Sequence, residues 1–284
     1  MMGPELRWGE RTYLMGIINV TPDSFSGDGL AGDQRSPHEI TAAALAQGRS
    51  MVAAGADILD VGAESTRPRQ AYGDHPEVDA ETEMALAVPV VRALAAELGD
   101  RARISIDTSK GVVAAAALEA GASMVNDVWA ARRDPGTAEA AAASGAHLVL
   151  MHNQDGDGYP DGVFRTVVGW LAEAIEAAAA RGVPRERLIV DPGIGFGKST
   201  ENNLELLHRL AELKVALGGL PLLVGTSRKR FIGELLDGAP ADDRIEGSAA
   251  TAALAVMAGA DVVRVHDVAH IARTLRVTDA VVRR

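Results

Sequence analysis

No cysteine occurs in the 284 residues, which removes disulfides, thiolate nucleophiles and soft thiolate metal sites and fits a reducing compartment, so a cytoplasmic location is expected. Lysine is nearly as scarce, confined to Lys110, Lys198, Lys214 and Lys229. Basic residues number 28 against 39 acidic ones, a formal net charge of −11. That balance repels nucleic acid and anionic membrane surfaces, so neither is expected as a partner. An anionic small molecule would need a local positive pocket, and three of the four lysines follow closely on expected strand ends. No apolar run approaches the roughly 20 residues of a membrane helix. The stretch from Met1 to Arg11 is polar and lacks the apolar core of a secretory leader.

What is present is apolar and periodic. At 47% hydrophobic residues the chain can bury a large core. Short β-branched or Leu-rich runs alternate with Ala-rich segments of helical period, the pattern of parallel βα units. Strands are expected at Tyr13–Asn19, Ile58–Gly62, Arg103–Asp107, Met124–Asp127, Leu148–His152, Leu188–Asp191, Leu222–Thr226 and Val262–His266. Helices are expected near Pro37–Ala54, Ala80–Leu98, Gly111–Ala120, Pro135–Ser144, Thr166–Arg181, Glu201–Leu217, Arg244–Ala258 and Val268–Val281. Four helices close on Gly-Ala, at Gly55, Gly121, Gly145 and Gly259, where glycine supplies a left-handed turn back into a strand. About eight such units without a linker predict an α/β fold, a closed (β/α)8 TIM barrel forming one domain over residues 1–284.

Polar residues fall at the strand ends: Asn19, Glu64 to Arg67, Asp107, Asn126-Asp127, His152, Asp191, Ser227-Arg228-Lys229, and Arg264 with His266. Taken singly, each reads as a helix cap or turn former. Taken together on a barrel, they converge on the C-terminal face, where barrel active sites are built. Arg264 and His266 share a face of their strand. The segment Asn19-Val-Thr-Pro-Asp-Ser-Phe-Ser26 reads either as a surface turn or as a lid at the mouth. Glu64-Ser-Thr-Arg-Pro68 offers hydroxyls and a guanidinium to phosphate oxygens. Asp191-Pro-Gly-Ile-Gly-Phe-Gly-Lys-Ser199 brushes against a P-loop, but that pattern needs glycine where Pro192 stands.

These motifs, with Ser105-Ile-Asp-Thr-Ser-Lys110 and Val125-Asn-Asp-Val128, occur in one order along the whole chain. In that order the sequence resembles the dihydropteroate synthases, a pterin-binding family of the folate pathway. The resemblance implies a transferase that joins 6-hydroxymethyl-7,8-dihydropterin diphosphate to p-aminobenzoate, releasing diphosphate with the help of Mg²⁺, behind two mobile loops. Position by position, it makes Asn19 the magnesium-linked residue and puts Thr66 and Arg67 in the second loop. Asp107, Asn126, Asp191 and Lys229 would hold the pterin. Arg264 and His266 would hold the diphosphate, with Arg264 also against the ring. Ser227, Phe196 and Pro68 would line the p-aminobenzoate site, and Asp107, Lys229 and Arg264 would carry the chemistry. The family also implies a homodimer.

The residue types suit that chemistry. A carboxylate such as Asp191 can accept from a pterin's amino group and ring N–H side by side, while Lys229 donates to the exocyclic oxygen. Asn19 offers Mg²⁺ a hard amide oxygen. An aromatic amine is neutral at pH 7, so no strong base is needed, and loss of diphosphate from a pterin-conjugated carbon favours a dissociative displacement. Arg69, Trp129 and the acidic loop after His152 depart from the family's usual pattern. The alternatives are a pterin-binding corrinoid methyltransferase on the same barrel, a non-catalytic binding paralogue, and a P-loop nucleotidase, which already fails at Pro192.

Overall fold

The computed structural model describes residues 3–21, 30, 36–64, 78–154, 156 and 158–283. Eight parallel strands run through it: β1 Tyr13–Asn19, β2 Ile58–Gly62, β3 Arg103–Asp107, β4 Met124–Asp127, β5 His147–Met151, β6 Leu188–Asp191, β7 Leu223–Val224 and β8 Val262–Val265. Their order is β6-β5-β4-β3-β2-β1-β8-β7, and a parallel bridge between Val190 and Leu222 joins the two ends into a barrel. Outside lie α1 Pro37–Ala54, α2 Ala80–Leu98, α3 Gly111–Glu119, α4 Gly136–Ser144, α5 Val163–Ala180, α6 Thr200–His208, α7 Leu210–Ala216, α8 Arg230–Leu235, α9 Ile245–Met257 and α10 Val268–Val282. The TIM barrel read from the sequence is the fold that forms. Among the described residues, no helix is long and apolar enough to cross a membrane.

Local chemistry explains most of the boundaries. Ser36 and Glu39 form a capping box at the start of α1, with Pro37 in the first turn, and Asp79 and Ser199 cap α2 and α6. The four Gly-Ala stops all have glycine at positive φ, from 69° at Gly145 to 112° at Gly121. Some expected bounds shift. β5 lies one residue earlier, at His147–Met151, β7 is only two residues long, and β8 stops at Val265, one residue short of His266. The helix expected over 201–217 divides at Arg209, whose N–H is shared between the carbonyls of Glu205 and Leu206 in a tightened turn. The six-residue α8 is too short to declare itself by periodicity.

Two apolar layers hold the barrel. The outer layer packs strand residues such as Leu59, Ile106 and Leu148 against helix residues such as Val90, Leu94 and Leu171. The inner cluster is small: Tyr13, Met15, Ile58, Met124, Val149, Ile189, Leu223 and Val262, with Leu6 and Trp8 packed against it. Each fully buried Leu or Ile contributes about 2 kcal/mol, and truncating Leu59 to alanine is expected to cost about 3 kcal/mol.

That inner cluster also determines where the polar groups go. Side chains two apart on a strand share a face. Inward-facing Ile58 therefore puts Asp60 inward, Met124 puts Asn126 inward, Ile189 puts Asp191 inward, and Val262 puts Arg264 inward. Within one step of the period, the lining changes from apolar to charged.

Candidate functional site

Arg264 is the hub of this charged layer. Its Nε donates to Asp60 Oδ2 and its Nη2 to Asp107 Oδ2, both at 2.7 Å. Asn126 Nδ2 donates to the same Asp60 oxygen at 2.9 Å. Four residues from β2, β3, β4 and β8 are thereby tied together. Asp60 is fully buried and Asp107 nearly so, yet Asp60 Oδ1 and Asp107 Oδ1 have no hydrogen-bond partner. A buried bare carboxylate oxygen is costly, and a cluster left in that state is suited to a ligand that brings N–H donors. Burial pushes the Asp107 carboxyl up to about 8 against the pull of Arg264, with the negative charge of Asp60 adding to the rise.

Asp60 did not stand out in the sequence, although a signal was there. It is the one carboxylate inside the apolar run Ile-Leu-Asp-Val-Gly, on the same face as Ile58. A charge in that position must be paired, and its partners proved to be two residues that had been singled out.

Asp191 ends β6 on the same rim. Its Oδ1 accepts from the Gly193 N–H at 2.7 Å, and burial raises it to about 6 against the lowering effects of that bond and of Lys229 and Lys198. Across the rim, Lys229 Nζ lies 3.9 Å from the centre of the Phe196 ring, a cation–π contact. Its reach depends on Gly195, where a Cβ would lie 2.8 Å from Lys229 Cδ. Just before it, Arg228 has φ +60°, unusual for a residue with a side chain. That turn is held by its neighbours: Arg228 N–H donates to Ser248 Oγ, and Arg244 Nη1 donates to the Arg228 carbonyl. Strain fastened in this way is characteristic of functional loops. Ser227 Oγ accepts from the His266 N–H at 3.2 Å and meets His266 Nδ1 at the same distance, which joins the β7 loop to the end of β8. Asn19 is half-buried at the end of β1, opposite Gly62 of β2, and its carbonyl accepts from Leu30 N–H at 3.0 Å.

Several strand-end residues serve the scaffold instead. Asp127 faces away from the barrel interior and accepts from Trp129 N–H, Ala131 N–H and Thr137 Oγ1. His152 lies outside the strands against the Trp170 ring, centroids 5.0 Å apart. Lys110, expected to make the mouth positive, is neutralised by Glu64 at 2.6 Å and Glu83 at 2.7 Å. Lys198 is buried, with Nζ on backbone carbonyls. Arg228 makes a two-pronged pair with Asp267 at 2.7 and 3.0 Å. Among the described residues, the remaining rim cations are Lys229, against the Phe196 ring, and Arg264, shared between Asp60 and Asp107. Trp129 stacks under the Arg133 guanidinium at 3.6 Å. Thr66, Arg67, Pro68 and Arg69, together with Pro22 to Ser26, lie outside the described residues.

Among the described residues, no cluster of three His or acidic side chains could cage a metal. Asn19, at the end of β1, offers a hard amide oxygen. A magnesium ion that keeps its waters and binds a substrate's phosphate oxygens needs no more than one or two protein ligands, so the donor set fits it.

The family described as pterin binding enzyme matches residues 15–266. The chain is 42% identical to the dihydropteroate synthase of Clostridium beijerinckii, covering 99% of this chain and 98% of that protein. It is also 42% identical to that of Bacillus subtilis, covering 97% and 90%. Among solved structures, a dihydropteroate synthase from Clostridium difficile in the presence of pteroic acid superposes with a TM-score of 0.89 at 43% identity, covering 99% of this chain and all of that one. The Xanthomonas albilineans enzyme in complex with 7,8-dihydropteroate does so at 0.81 and 38%, covering 96% and 94%. These relatives do not favour the corrinoid methyltransferase alternative.

Proposed function

This chain belongs to the pterin-binding enzyme family, and from that premise we propose that it acts as a dihydropteroate synthase, joining 6-hydroxymethyl-7,8-dihydropterin diphosphate to p-aminobenzoate with release of diphosphate. The observation that carries the reading is the hydrogen-bonded set of Asp60, Asp107, Asn126 and Arg264 inside one barrel mouth, with Asp191 and Lys229 on its rim.

Each residue then has a task. Asp191 accepts from the amino group and ring N–H of the pterin, and Lys229 donates to its exocyclic oxygen. Asn126 and Asp107 contact the remaining polar edge, where the bare Asp107 oxygen gains the donor it lacks. Arg264 lies against the ring and, with His266, faces the departing diphosphate. Phe196 and Ser227 line the p-aminobenzoate side, to which the family resemblance also assigns Pro68, Thr66 and Arg67. As the carbon–oxygen bond to diphosphate lengthens, positive charge spreads into the pterin, where Asp191, and Asp107 in its ionised form, stabilise it. The neutral amine of p-aminobenzoate attacks the methylene carbon, and its surplus proton passes to solvent. No covalent nucleophile is required. Mg²⁺ held through the Asn19 amide oxygen would supply charge neutralisation on the diphosphate.

Purified protein given the pterin diphosphate, p-aminobenzoate and Mg²⁺ is expected to yield dihydropteroate; folded protein that yields none rejects the reading. Asp191→Ala is expected to lower pterin affinity at least about a hundredfold, because two charge-assisted hydrogen bonds go together. Calorimetry with the pterin checks it. We also read the protein as a cytoplasmic homodimer. The exposed apolar side chains Leu254 and Met257 on α9 and Val215 on α7 are suited to pairing, and sedimentation of the purified protein tests the dimer.

A further inference from the structure

The turn between β6 and α6 encloses a cation that the condensation itself does not use. Lys198 Nζ donates to the carbonyls of Gly193 at 2.8 Å and Phe196 at 2.9 Å, and it meets His152 Nδ1 at 3.0 Å. Three acceptors match the three protons of an ammonium, provided the imidazole is neutral and bare at Nδ1. Burial, helped by the charge of Lys198, pushes His152 down to about 3, so the imidazole is neutral near pH 7. Burial lowers Lys198 to about 7 against the pull of Asp191, and in its protonated form it occupies the inside of the turn on two of the turn's carbonyls.

The turn leaves no slack around this arrangement. A Cβ at Gly193, which has φ +66°, would lie 1.9 Å from the His152 carbonyl oxygen and 3.3 Å from Lys198 Nζ. Asn203 accepts from the Gly195 N–H at 2.7 Å, and Tyr159 donates to the Gly197 carbonyl at 2.7 Å. The residue whose carbonyl Lys198 grips is Phe196, and the ring of that residue lies against Lys229 Nζ. One side of the turn is therefore tied to a buried cation, while the other presents an aromatic ring to the cation assigned to the pterin.

We propose that Lys198 is a positioning residue for the condensation: its ammonium holds the turn so that the Phe196 ring is set against Lys229, which registers the p-aminobenzoate subsite on the pterin subsite. This rests on the assignment of Phe196 to p-aminobenzoate made above. Buried beneath the turn, Lys198 acts through the ring and touches neither substrate.

The test is steady-state kinetics on the full chain. Wild-type turnover is measured first; its absence overturns the functional reading and this inference together, whereas with an active wild type only the inference is at stake. Lys198→Met is expected to raise KM for p-aminobenzoate about tenfold, while kcat and KM for the pterin diphosphate move less than about threefold. In a Phe196→Ala background the same substitution is expected to add less than about twofold, since the ring it positions is gone. If the methionine variant does not fold, Lys198→Gln retains a donor for one carbonyl and is expected to show the same pattern with a smaller rise. Equal losses for both substrates, independent effects in the double variant, or an unchanged KM for p-aminobenzoate would overturn the proposal.

Discussion

At the floor of the barrel, three cations each have a carboxylate of their own. Arg11 pairs with Asp57 at 2.6 and 2.9 Å, Lys214 with Asp261 at 2.6 Å, and Arg283 with Asp279 at 3.2 Å. Asp261 keeps one bare oxygen, but its other oxygen also accepts the Leu222 N–H. At the mouth the matching fails by design: one guanidinium is divided between Asp60 and Asp107, and each carboxylate retains an oxygen without a donor. Each of these floor cations has a carboxylate to itself, whereas the mouth guanidinium is shared between two. The contrast places the shared guanidinium and its two half-satisfied carboxylates at the end where the loops meet, and the one-cation, one-carboxylate pairs at the other.

The contrast can be broken at either end. The largest effect is expected for Arg264→Met, which strands two buried carboxylates. Near pH 8 it is expected to cost about 3 kcal/mol in urea unfolding and to lower kcat/KM on the order of a thousandfold. A variant of near wild-type activity would remove Arg264 from the hub. Asp60→Asn leaves Arg264 its bond to Asp107 and is expected to lower kcat/KM about thirtyfold, with the loss in pterin affinity seen by calorimetry.

Changes at the floor should alter stability alone. Lys214→Met uncovers Asp261, which is 1% exposed, and is expected to cost about 3 kcal/mol in unfolding. Its kcat/KM should stay within about twofold of wild type. At neutral pH the smallest effect is expected at His147, beside Trp8 on the floor. Burial, with the charges of Arg103 and Arg187, lowers its pKa from 6.5 to about 3. The unfolded chain therefore takes up a proton that the folded one refuses, and this contribution to stability, present above about pH 6.5, is lost as the pH falls toward about 3. His147→Phe is expected to flatten that part of the acid limb in denaturation curves across this range. A limb of unchanged slope would show that other groups dominate it.

Much of this was legible in the sequence. Parallel strands buried on both faces leave continuous apolar runs, and the Gly-Ala stops between them are stereochemical requirements, so the barrel and the bounds of five of its eight strands followed from local rules. The rim positions Asp107, Asn126, Asp191, Lys229 and Arg264 were also visible, because a strand of known direction puts its last residue at a known end. What was not legible was partnership. Arg228 and Arg264 look alike as strand-end arginines, yet Asp267 neutralises one, while the other divides its charge between Asp60 and Asp107.

The linear chain thus determined the architecture and the end of the barrel at which chemistry gathers, because hydrophobic period and glycine stereochemistry act over a few neighbouring residues. Only the folded molecule decided which charges remain available there. Asp60 and Arg264 stand far apart along the chain and meet at 2.7 Å. Pairing across such a separation depends on the closure of the whole sheet, which no local pattern encodes.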